Sequence, residues 1–289
     1  MEAASAPRSD RVLAPLKRRA SEVTRNLPSG SYRIFSALDP SGPEPAAGQF
    51  YMLAAAAGWG SAQTRPYLAR AFSVAGCERE RGGVRLDFLV HAVGPGTERL
   101  ASLEPGEELL VTGPLGMPFS MPTDLAAGAS GAILIGGGIG VAPLALWRNT
   151  LAAAGTPTRV LLGFRDRDRA GGLDLFDCSE IRTASEDGHI GHRGYVTDLL
   201  GVLLEGDDAG GAPVYACGPP AMLEAVRVMC GERGVASELA MEAPMGCGFG
   251  ACFGCAVPLA AGGYMRLCLD GPVVRGEKIE TALVAGSGH

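Results

Sequence analysis

The stretch GAILIGGGIGVAPLAL, residues 131 to 146, decides the fold class. Its first part, AILIG, has the apolar character of a buried strand, and the segment APLALWRNTLAAAG after the glycines has the pattern of a helix. In a turn of this kind, bare backbone can approach a nucleotide diphosphate. The alternative is tight strand–helix packing without a ligand, since the spacing is not G-x-G-x-x-G. The glycines concerned are Gly136, Gly137, Gly138 and Gly140.

Strands and helices continue to alternate beyond this stretch. RVLLGF and VYACG have strand character, while a segment at 195–204 and PAMLEAVRVMCGERG have helix character. This order predicts a parallel α/β sheet over residues 130–240. Cys217, Gly218 and Pro219 end the VYACG strand at the edge where parallel sheets bind ligands, so we expect the Cys217 side chain to be exposed to a ligand.

Residues 11–122 have a different pattern. Short apolar segments such as YRIFSAL, GQFYMLAA and VRLDFLVHAV are separated by glycine and proline turns, which predicts an antiparallel β-barrel. One of the predicted strands contains Arg70, and the turn VGPGTERL contains Gly96 and Thr97. An arginine and the N–H groups of such a turn can both hold a diphosphate. The alternatives are a solvated strand charge and an ordinary turn.

The segment 241–280 contains four cysteines with the spacing C-x4-C-x2-C-x12-C. This is the plant-type spacing of [2Fe–2S] ligands, whereas structural zinc sites usually take their cysteines as two short pairs. Glycines between the cysteines let the backbone approach sulfur closely. Zinc and four buried structural thiols are the alternatives. The predicted ligands of this small C-terminal subdomain are Cys247, Cys252, Cys255 and Cys268.

Composition and charge exclude several classes of protein. The net charge is −6, and no basic cluster is present that would bind nucleic acid. The most apolar run, at 131–146, is shorter than the ~20 residues that cross a bilayer, so no membrane partner is expected. Residues 1–10 lack the apolar core of a signal peptide, which predicts a cytoplasmic protein with reduced cysteines. Residues 1–10 and 281–289 are predicted to be flexible ends.

The order of the motifs RAFS, GPGT, GGGIGVAP, CGP and the cysteine spacing resembles the ferredoxin–NADP reductase superfamily. The phrases GQF, GPLGMPF, EDGHIGHRGYVTDLL and MEAPMGCGFGACFGCAV narrow the resemblance to the electron transfer subunits of class 1B dihydroorotate dehydrogenase. The resemblance implies a barrel that binds FAD, an α/β domain that binds NAD and a C-terminal subdomain that binds a [2Fe–2S] cluster.

The resemblance also implies a role for each site residue. Arg70 would lie near phosphate and Ser73 near the isoalloxazine ring, while Gly96 and Thr97 would hold the FAD diphosphate. The remaining FAD contacts would come from Ala71, Phe72, Leu89, Val90 and His91. The nicotinamide nucleotide would be framed by Gly136, Gly137, Gly138, Gly140, Cys217, Gly218 and Pro219, and the four cysteines would ligate the cluster.

These parts together predict an electron relay. A nicotinamide exchanges two electrons as a hydride and a [2Fe–2S] cluster carries one, so a flavin between them is the group that can do both. The four histidines form no recognisable acid–base constellation, which indicates that the organic substrate is oxidised elsewhere. The resemblance implies a heterotetramer with an FMN-containing dihydroorotate dehydrogenase catalytic subunit, whose electrons reach NAD⁺ in pyrimidine biosynthesis.

Other functions stay open at this point. A related reductase subunit could serve a hydrogenase, a sulfide dehydrogenase or a ferredoxin:NADP oxidoreductase, and a zinc-stabilised module could bind partners without cofactors. The nucleotide is open too, although the resemblance favours NAD. The segment GFRDRDRAGG, residues 163–172, offers arginines for a 2′-phosphate and aspartates for a ribose hydroxyl, or is a solvated charged loop.

Overall fold

The computed structural model describes residues 11–60, 66–176, 181–206, 211–284 and 286. The predicted flexible end at 1–10 and most of the last five residues lie outside the described residues, as does Cys178. Among the helices of the described ranges, none is both long and apolar enough to cross a bilayer. The fold consists of two seven-stranded sheets and one short hairpin.

The N-terminal part is built from antiparallel strands: β1 (Arg19–Ser29), β2 (Tyr32–Asp39), β3 (Phe50–Ala55), β4 (Arg70–Ser73), β5 (Gly76–Glu80), β6 (Gly83–His91) and β7 (Glu108–Leu115). They pair in the order β4-β3-β7-β1-β2-β6-β5 and curve into a half-barrel. The helix α1 (Pro95–Ala101) connects β6 to β7. The buried rings of Phe35, Tyr51 and Phe88 fill the interior. The centroid of the Phe88 ring lies 5.4 Å from that of Phe35 and 5.9 Å from that of Tyr51. The predicted antiparallel architecture is confirmed.

The second sheet contains six parallel strands: β8 (Ala132–Gly137), β9 (Thr158–Phe164), β10 (Ile181–Ser185), β11 (His192–Arg193), β12 (Val214–Cys217) and β13 (Ser237–Ala240). The helix α2 (Pro122–Leu125) precedes it, and α3 (Val141–Ala153), α4 (Val196–Glu205) and α5 (Pro220–Arg233) connect its strands. Leu134 of β8 packs in the core that includes α3, and Ile133 packs in the core that includes α4 and α5. Helices therefore cover both faces, as parallel sheets require.

The cysteine segment is attached to this sheet at both of its ends. After β13 the chain forms the cysteine loop, the hairpin β14 (Ala256–Pro258) with β15 (Tyr264–Arg266), the short α6 (Leu267–Asp270) and the strand β16 (Val273–Arg275). β16 pairs antiparallel with β13, which gives the sheet order β11-β10-β9-β8-β12-β13-β16. The Met241 N–H donates to the Pro272 carbonyl at 2.9 Å. Backbone hydrogen bonds therefore close the base of the segment.

A buried carboxylate joins the two sheets. Glu238 of β13 is 0% exposed and accepts hydrogen bonds from the N–H and the hydroxyl of Ser120, each at 2.8 Å. The Tyr215 hydroxyl donates to the Ser120 carbonyl at 2.8 Å. Because Ser120 follows the last barrel strand while Glu238 and Tyr215 belong to the second sheet, these bonds fix one sheet against the other.

We expect Ser120→Ala to lower the free energy of unfolding by about 1.5 to 3 kcal/mol, because the buried Glu238 carboxylate loses one of its hydrogen bonds. Urea denaturation followed by circular dichroism measures this difference. Ser41→Ala is the matched control, since it removes an exposed hydroxyl. Equal losses of stability in the two variants would contradict the role given to Ser120.

Candidate functional site

Two glycine-containing loops form one surface at the carboxyl ends of β8 and β12, which are neighbouring parallel strands. A Cβ atom on Gly137 would stand 2.9 Å from Cδ of Pro219, and one on Gly140 would stand 2.6 Å from Cα of Gly218. Only glycine permits so close an approach at these two positions. The structure therefore brings together the two motifs predicted to frame a nicotinamide nucleotide.

Cys217 lies beneath this surface. Its side chain is 4% exposed, so the expectation that it would be exposed to a ligand is wrong. The reason is that its side chain belongs to the buried cluster between the sheet and α3, together with Tyr215 and Ala240. Burial raises the pKa of the Cys217 thiol, and the nearby Glu242 carboxylate raises it further. The thiol therefore stays neutral and packs as a small apolar group.

Arg70 of the predicted flavin motif lies next to the first turn of α1. Together they form a positively charged corner of the site. The Arg70 guanidinium lies beside Gly96, where a Cβ atom would stand 2.9 Å from Nε of the arginine. Nη1 of Arg70 donates to the Leu68 carbonyl at 2.6 Å, and Cζ lies 5.9 Å from the centre of the Trp59 ring. These contacts place a fixed guanidinium next to bare backbone, an arrangement suited to a diphosphate.

Thr97 and His91 flank this corner. The Thr97 hydroxyl accepts hydrogen bonds from the N–H groups of Val93 and Gly94 at 2.9 and 3.1 Å. This hydroxyl therefore shapes the turn and orients the backbone of the corner. His91 is half-buried at the end of β6, and its ring meets the ring of Tyr32 edge-on at 5.0 Å between centroids.

The other residues predicted to contact FAD differ in the exposure of their side chains, because neighbouring residues of a strand point to opposite faces of the sheet. On β4, Phe72 is buried in the barrel, whereas Ala71 is exposed and Ser73 is half-buried. On β6, the side chains of Leu89 and Val90 are buried in the core. These two residues therefore offer a ligand their backbone alone, while β4 can offer side chains.

The four predicted cluster cysteines lie in one segment. The Cys252 N–H donates to Sγ of Cys247 at 3.4 Å, and Cys255 and Cys268 are buried in the same apolar cluster. Three of the four come from one loop and the fourth from a separate element, which is the arrangement of [2Fe–2S] ligands, whereas structural zinc sites usually take two short pairs.

Backbone N–H groups surround the sulfur of Cys247. The Ala251 N–H donates to Sγ at 3.2 Å, in addition to the bond from Cys252. Burial acts to raise the pKa of this thiol, but the N–H groups outweigh it and lower the pKa to about 6. Cys247 is therefore mostly thiolate at neutral pH, the form that binds metals. Burial raises the pKa of Cys268 to about 12, so this thiol would release its proton on binding a metal.

The cysteine loop packs directly on the barrel. Gly248 has a φ of +79°, and a Cβ atom there would stand 2.5 Å from Cγ of Met52 on β3. Met52 pairs across the ladder with Ala71 on β4, the strand that carries the flavin motif. One side chain therefore separates the loop of the candidate cluster site from the strand of the candidate flavin site.

Arg266 supports the cysteine loop and was missed by sequence reasoning. Its Nη1 donates to the Gly250 carbonyl at 2.8 Å, and its guanidinium lies 4.7 Å from the centre of the Phe253 ring. The available signal was its position two residues before Cys268, and this does not distinguish it from a surface arginine. Its role depends on contacts across the loop that spacing does not encode.

Comparison with known proteins agrees with this arrangement. A family model described as the iron–sulfur cluster binding domain of dihydroorotate dehydrogenase B matches residues 242–280. The electron transfer subunit of dihydroorotate dehydrogenase B (NAD(+)) from Geobacillus sp. (strain WCH70) is 34% identical over 222 residues, which cover 76% of this chain and 82% of that protein. The subunit of the same name from Clostridium acetobutylicum is 35% identical over 235 residues, or 80% of this chain and 85% of that protein.

Solved structures share the fold. The structure of NADH-dependent reduced ferredoxin-NADP oxidoreductase, from a study of flavin-based electron bifurcation, gives a TM-score of 0.76 at 25% identity over 90% of both chains. The ferredoxin reductase in carbazole 1,9a-dioxygenase gives 0.60 at 24% identity, over 77% of this chain and 67% of that one. Given the identity and coverage of its sequence relatives, this chain belongs to the family of dihydroorotate dehydrogenase B electron transfer subunits and is an electron-transferring subunit of an oxidoreductase.

Proposed function

We propose that this chain passes electrons from an FMN-containing catalytic subunit, which oxidises dihydroorotate, through a [2Fe–2S] cluster and FAD to NAD⁺. The observation that carries the proposal is the contact between the three candidate sites. Gly248 of the cysteine loop touches Met52 beside the flavin strand, and Gly138 of the glycine loop lies beside Tyr32 of the barrel. The names of the relatives support a dihydroorotate dehydrogenase as the partner and NAD as the nucleotide.

A bound flavin supplies the exchange between hydride transfer and single-electron transfer. The chain's own residues bind and orient the groups. The Arg70 guanidinium and the backbone at Gly96 hold the FAD diphosphate, and β4 presents Ala71 and Ser73 toward the flavin. The glycine loop at 136–140 and the loop at 217–219 hold the nicotinamide nucleotide close to the barrel.

The four cysteines would provide the cluster ligands. Cys247, Cys252, Cys255 and Cys268 would hold the two irons, and the cluster would supply single-electron transfer. The N–H groups directed at Sγ of Cys247 stabilise negative charge on that sulfur, and hydrogen bonds to sulfur are one of the factors that set the potential of a cluster. Arg266 keeps the loop in the shape that directs these N–H groups inward.

NAD is the proposed nucleotide. Asp166 follows β9, at the edge where the ribose of a dinucleotide is bound. Its Oδ1 accepts a hydrogen bond from the Arg169 N–H at 2.9 Å, and its Oδ2 lies 3.9 Å from Nη1 of the same arginine. A carboxylate fixed at this edge can accept from a ribose hydroxyl and repels a 2′-phosphate.

We place the complex in the cytoplasm as a heterotetramer with its catalytic subunit. The seven cysteines within the described ranges are free thiols, as a reducing compartment requires. Phe249 and Phe253, which lie beside the cysteines, are exposed. Exposed aromatic side chains next to the cluster ligands suit contact with a partner that delivers electrons there.

A second candidate is the corresponding subunit of a ferredoxin:NADP oxidoreductase. It is favoured by the structural match over 90% of both chains to an NADH-dependent enzyme of that kind. The two candidates share the flavin, nucleotide and cluster sites and differ in the partner. A zinc-stabilised binding module is disfavoured because the model of an iron–sulfur cluster binding domain matches residues 242–280.

We expect the chain, purified anaerobically, to contain two irons and two sulfides per FAD. Mixed with an FMN-containing dihydroorotate-oxidising subunit, it should couple orotate formation to reduction of NAD⁺, with a lower rate for NADP⁺. Orotate and NADH are measured by absorbance. Ferredoxin reduction without orotate formation would favour the second candidate, and zinc without flavin would contradict both.

Cys255→Ser should lose iron and one-electron transfer but keep FAD and NADH-to-dye activity, because the flavin and nucleotide sites lie on other elements. Iron analysis, flavin content and dye reduction measure the three properties. Cys77→Ser makes the same chemical change on the barrel strand β5 and should keep iron. Loss of FAD in the Cys255 variant would contradict the separation of the sites.

Arg70→Ala should raise the Kd for FAD about 10- to 100-fold, since a charge-assisted hydrogen bond to the diphosphate is lost. Titration of the flavin-free protein with FAD, followed by flavin fluorescence, gives the Kd. Arg79→Ala is the control, because Arg79 forms only an exposed ion pair with Glu44 on the barrel surface. Equal FAD affinity of the Arg70 variant and the wild type would remove Arg70 from the site.

A further inference from the structure

A tyrosine of the barrel domain points its hydroxyl at the glycine loop of the second sheet. Tyr32 is the first residue of β2 and is 4% exposed. Its hydroxyl oxygen lies 3.5 Å from the position that a Cβ atom would take on Gly138. Gly138 has a φ of +53° and belongs to the turn proposed to hold the nucleotide diphosphate. The hydroxyl therefore borders the space that the diphosphate would occupy.

This hydroxyl donates to no group among the described residues, and it is not one of the fully enclosed unpartnered polar atoms, as the Tyr51 hydroxyl is. It is therefore open to a ligand, in contrast to the Tyr215 hydroxyl, which donates to the Ser120 carbonyl at 2.8 Å. Burial raises the pKa of Tyr32, while the Arg169 guanidinium lowers it and the Asp166 carboxylate raises it. The hydroxyl is therefore protonated at neutral pH and available as a donor.

The position of Tyr32 is fixed by contacts between the two domains. The hairpin before it is bound to the loop after β9, because the Ser31 N–H donates to the Asp168 carbonyl at 2.7 Å and the Gly172 N–H donates to Oγ of Ser29 at 2.9 Å. The edge-on contact with His91 holds the ring from the other side. Such a donor is oriented before a ligand arrives and loses little freedom on binding.

We propose that the Tyr32 hydroxyl donates a hydrogen bond to the diphosphate of the nicotinamide dinucleotide bound on the glycine loop. This inference rests on the proposed nucleotide site and adds a binding residue from the barrel, a domain that sequence motifs assign to FAD. The diphosphate is the group concerned because Gly138 belongs to the turn between β8 and α3, where parallel α/β sheets bind it.

Tyr32→Phe tests this inference, since it removes the hydroxyl and keeps the ring. Isothermal titration of the flavin-loaded protein with NADH and with ADP-ribose, which has the diphosphate but no nicotinamide, gives two Kd values. Loss of a hydrogen bond to a charged group should raise both by about tenfold or more. The KM for NADH in dye reduction should rise by the same factor, with the effect on KM rather than on kcat.

Tyr51→Phe is the matched control, because it removes a buried hydroxyl that has no partner in the interior of the barrel, outside the nucleotide site. It should leave both Kd values unchanged. Unchanged Kd values in the Tyr32 variant would overturn the inference, and a loss confined to NADH would overturn the assignment to the diphosphate. A wild-type protein that binds neither ligand would overturn the nucleotide site itself.

Discussion

The antiparallel pairing of β13 with β16 is the constraint on which the rest of the structure depends. The chain leaves the second sheet at Met241 and returns at Pro272, and these two residues are joined by a backbone hydrogen bond. Another bond, from the Met117 N–H to the Gly271 carbonyl at 2.5 Å, ties the same base to the barrel. The cysteine loop therefore cannot shift relative to either sheet without breaking the pairing at its base.

Buried polar contacts complete this framework inside the barrel. Nη2 of Arg19 lies 2.6 Å from Oδ2 of Asp39 and also donates to the Gly113 carbonyl at 2.7 Å. The three residues belong to β1, β2 and β7, so one guanidinium links three strands. A buried ion pair of this kind contributes little net stability, but removing one partner leaves an uncompensated charge in the core. It therefore favours one register of these strands over the alternatives.

Local sequence patterns predicted the elements that are determined by residues close together in the chain. The helix after the glycine loop was expected at 142–155 and lies at Val141–Ala153, and the four cysteines of the C-terminal segment were recognised from a spacing that is visible in the sequence. Contacts between distant segments were not predictable in this way. Ser120 and Glu238 are 118 residues apart, and neither has a neighbourhood that marks it. The burial of Cys217 depended on which face of the sheet its side chain joins and on the packing of α3 there, and β16 is too short to be recognised alone.

The contacts that hold the barrel against the second sheet have a consequence for turnover. With Ser120 bound to Glu238 and the hairpin at Ser31 bound to Asp168, the barrel and the second sheet are held in one arrangement before any dinucleotide binds. Residues that are already held in place lose little conformational entropy on binding. The nicotinamide dinucleotide has to leave after every catalytic cycle. A site that is already in place can hold it by a few contacts and release it as readily as it binds it.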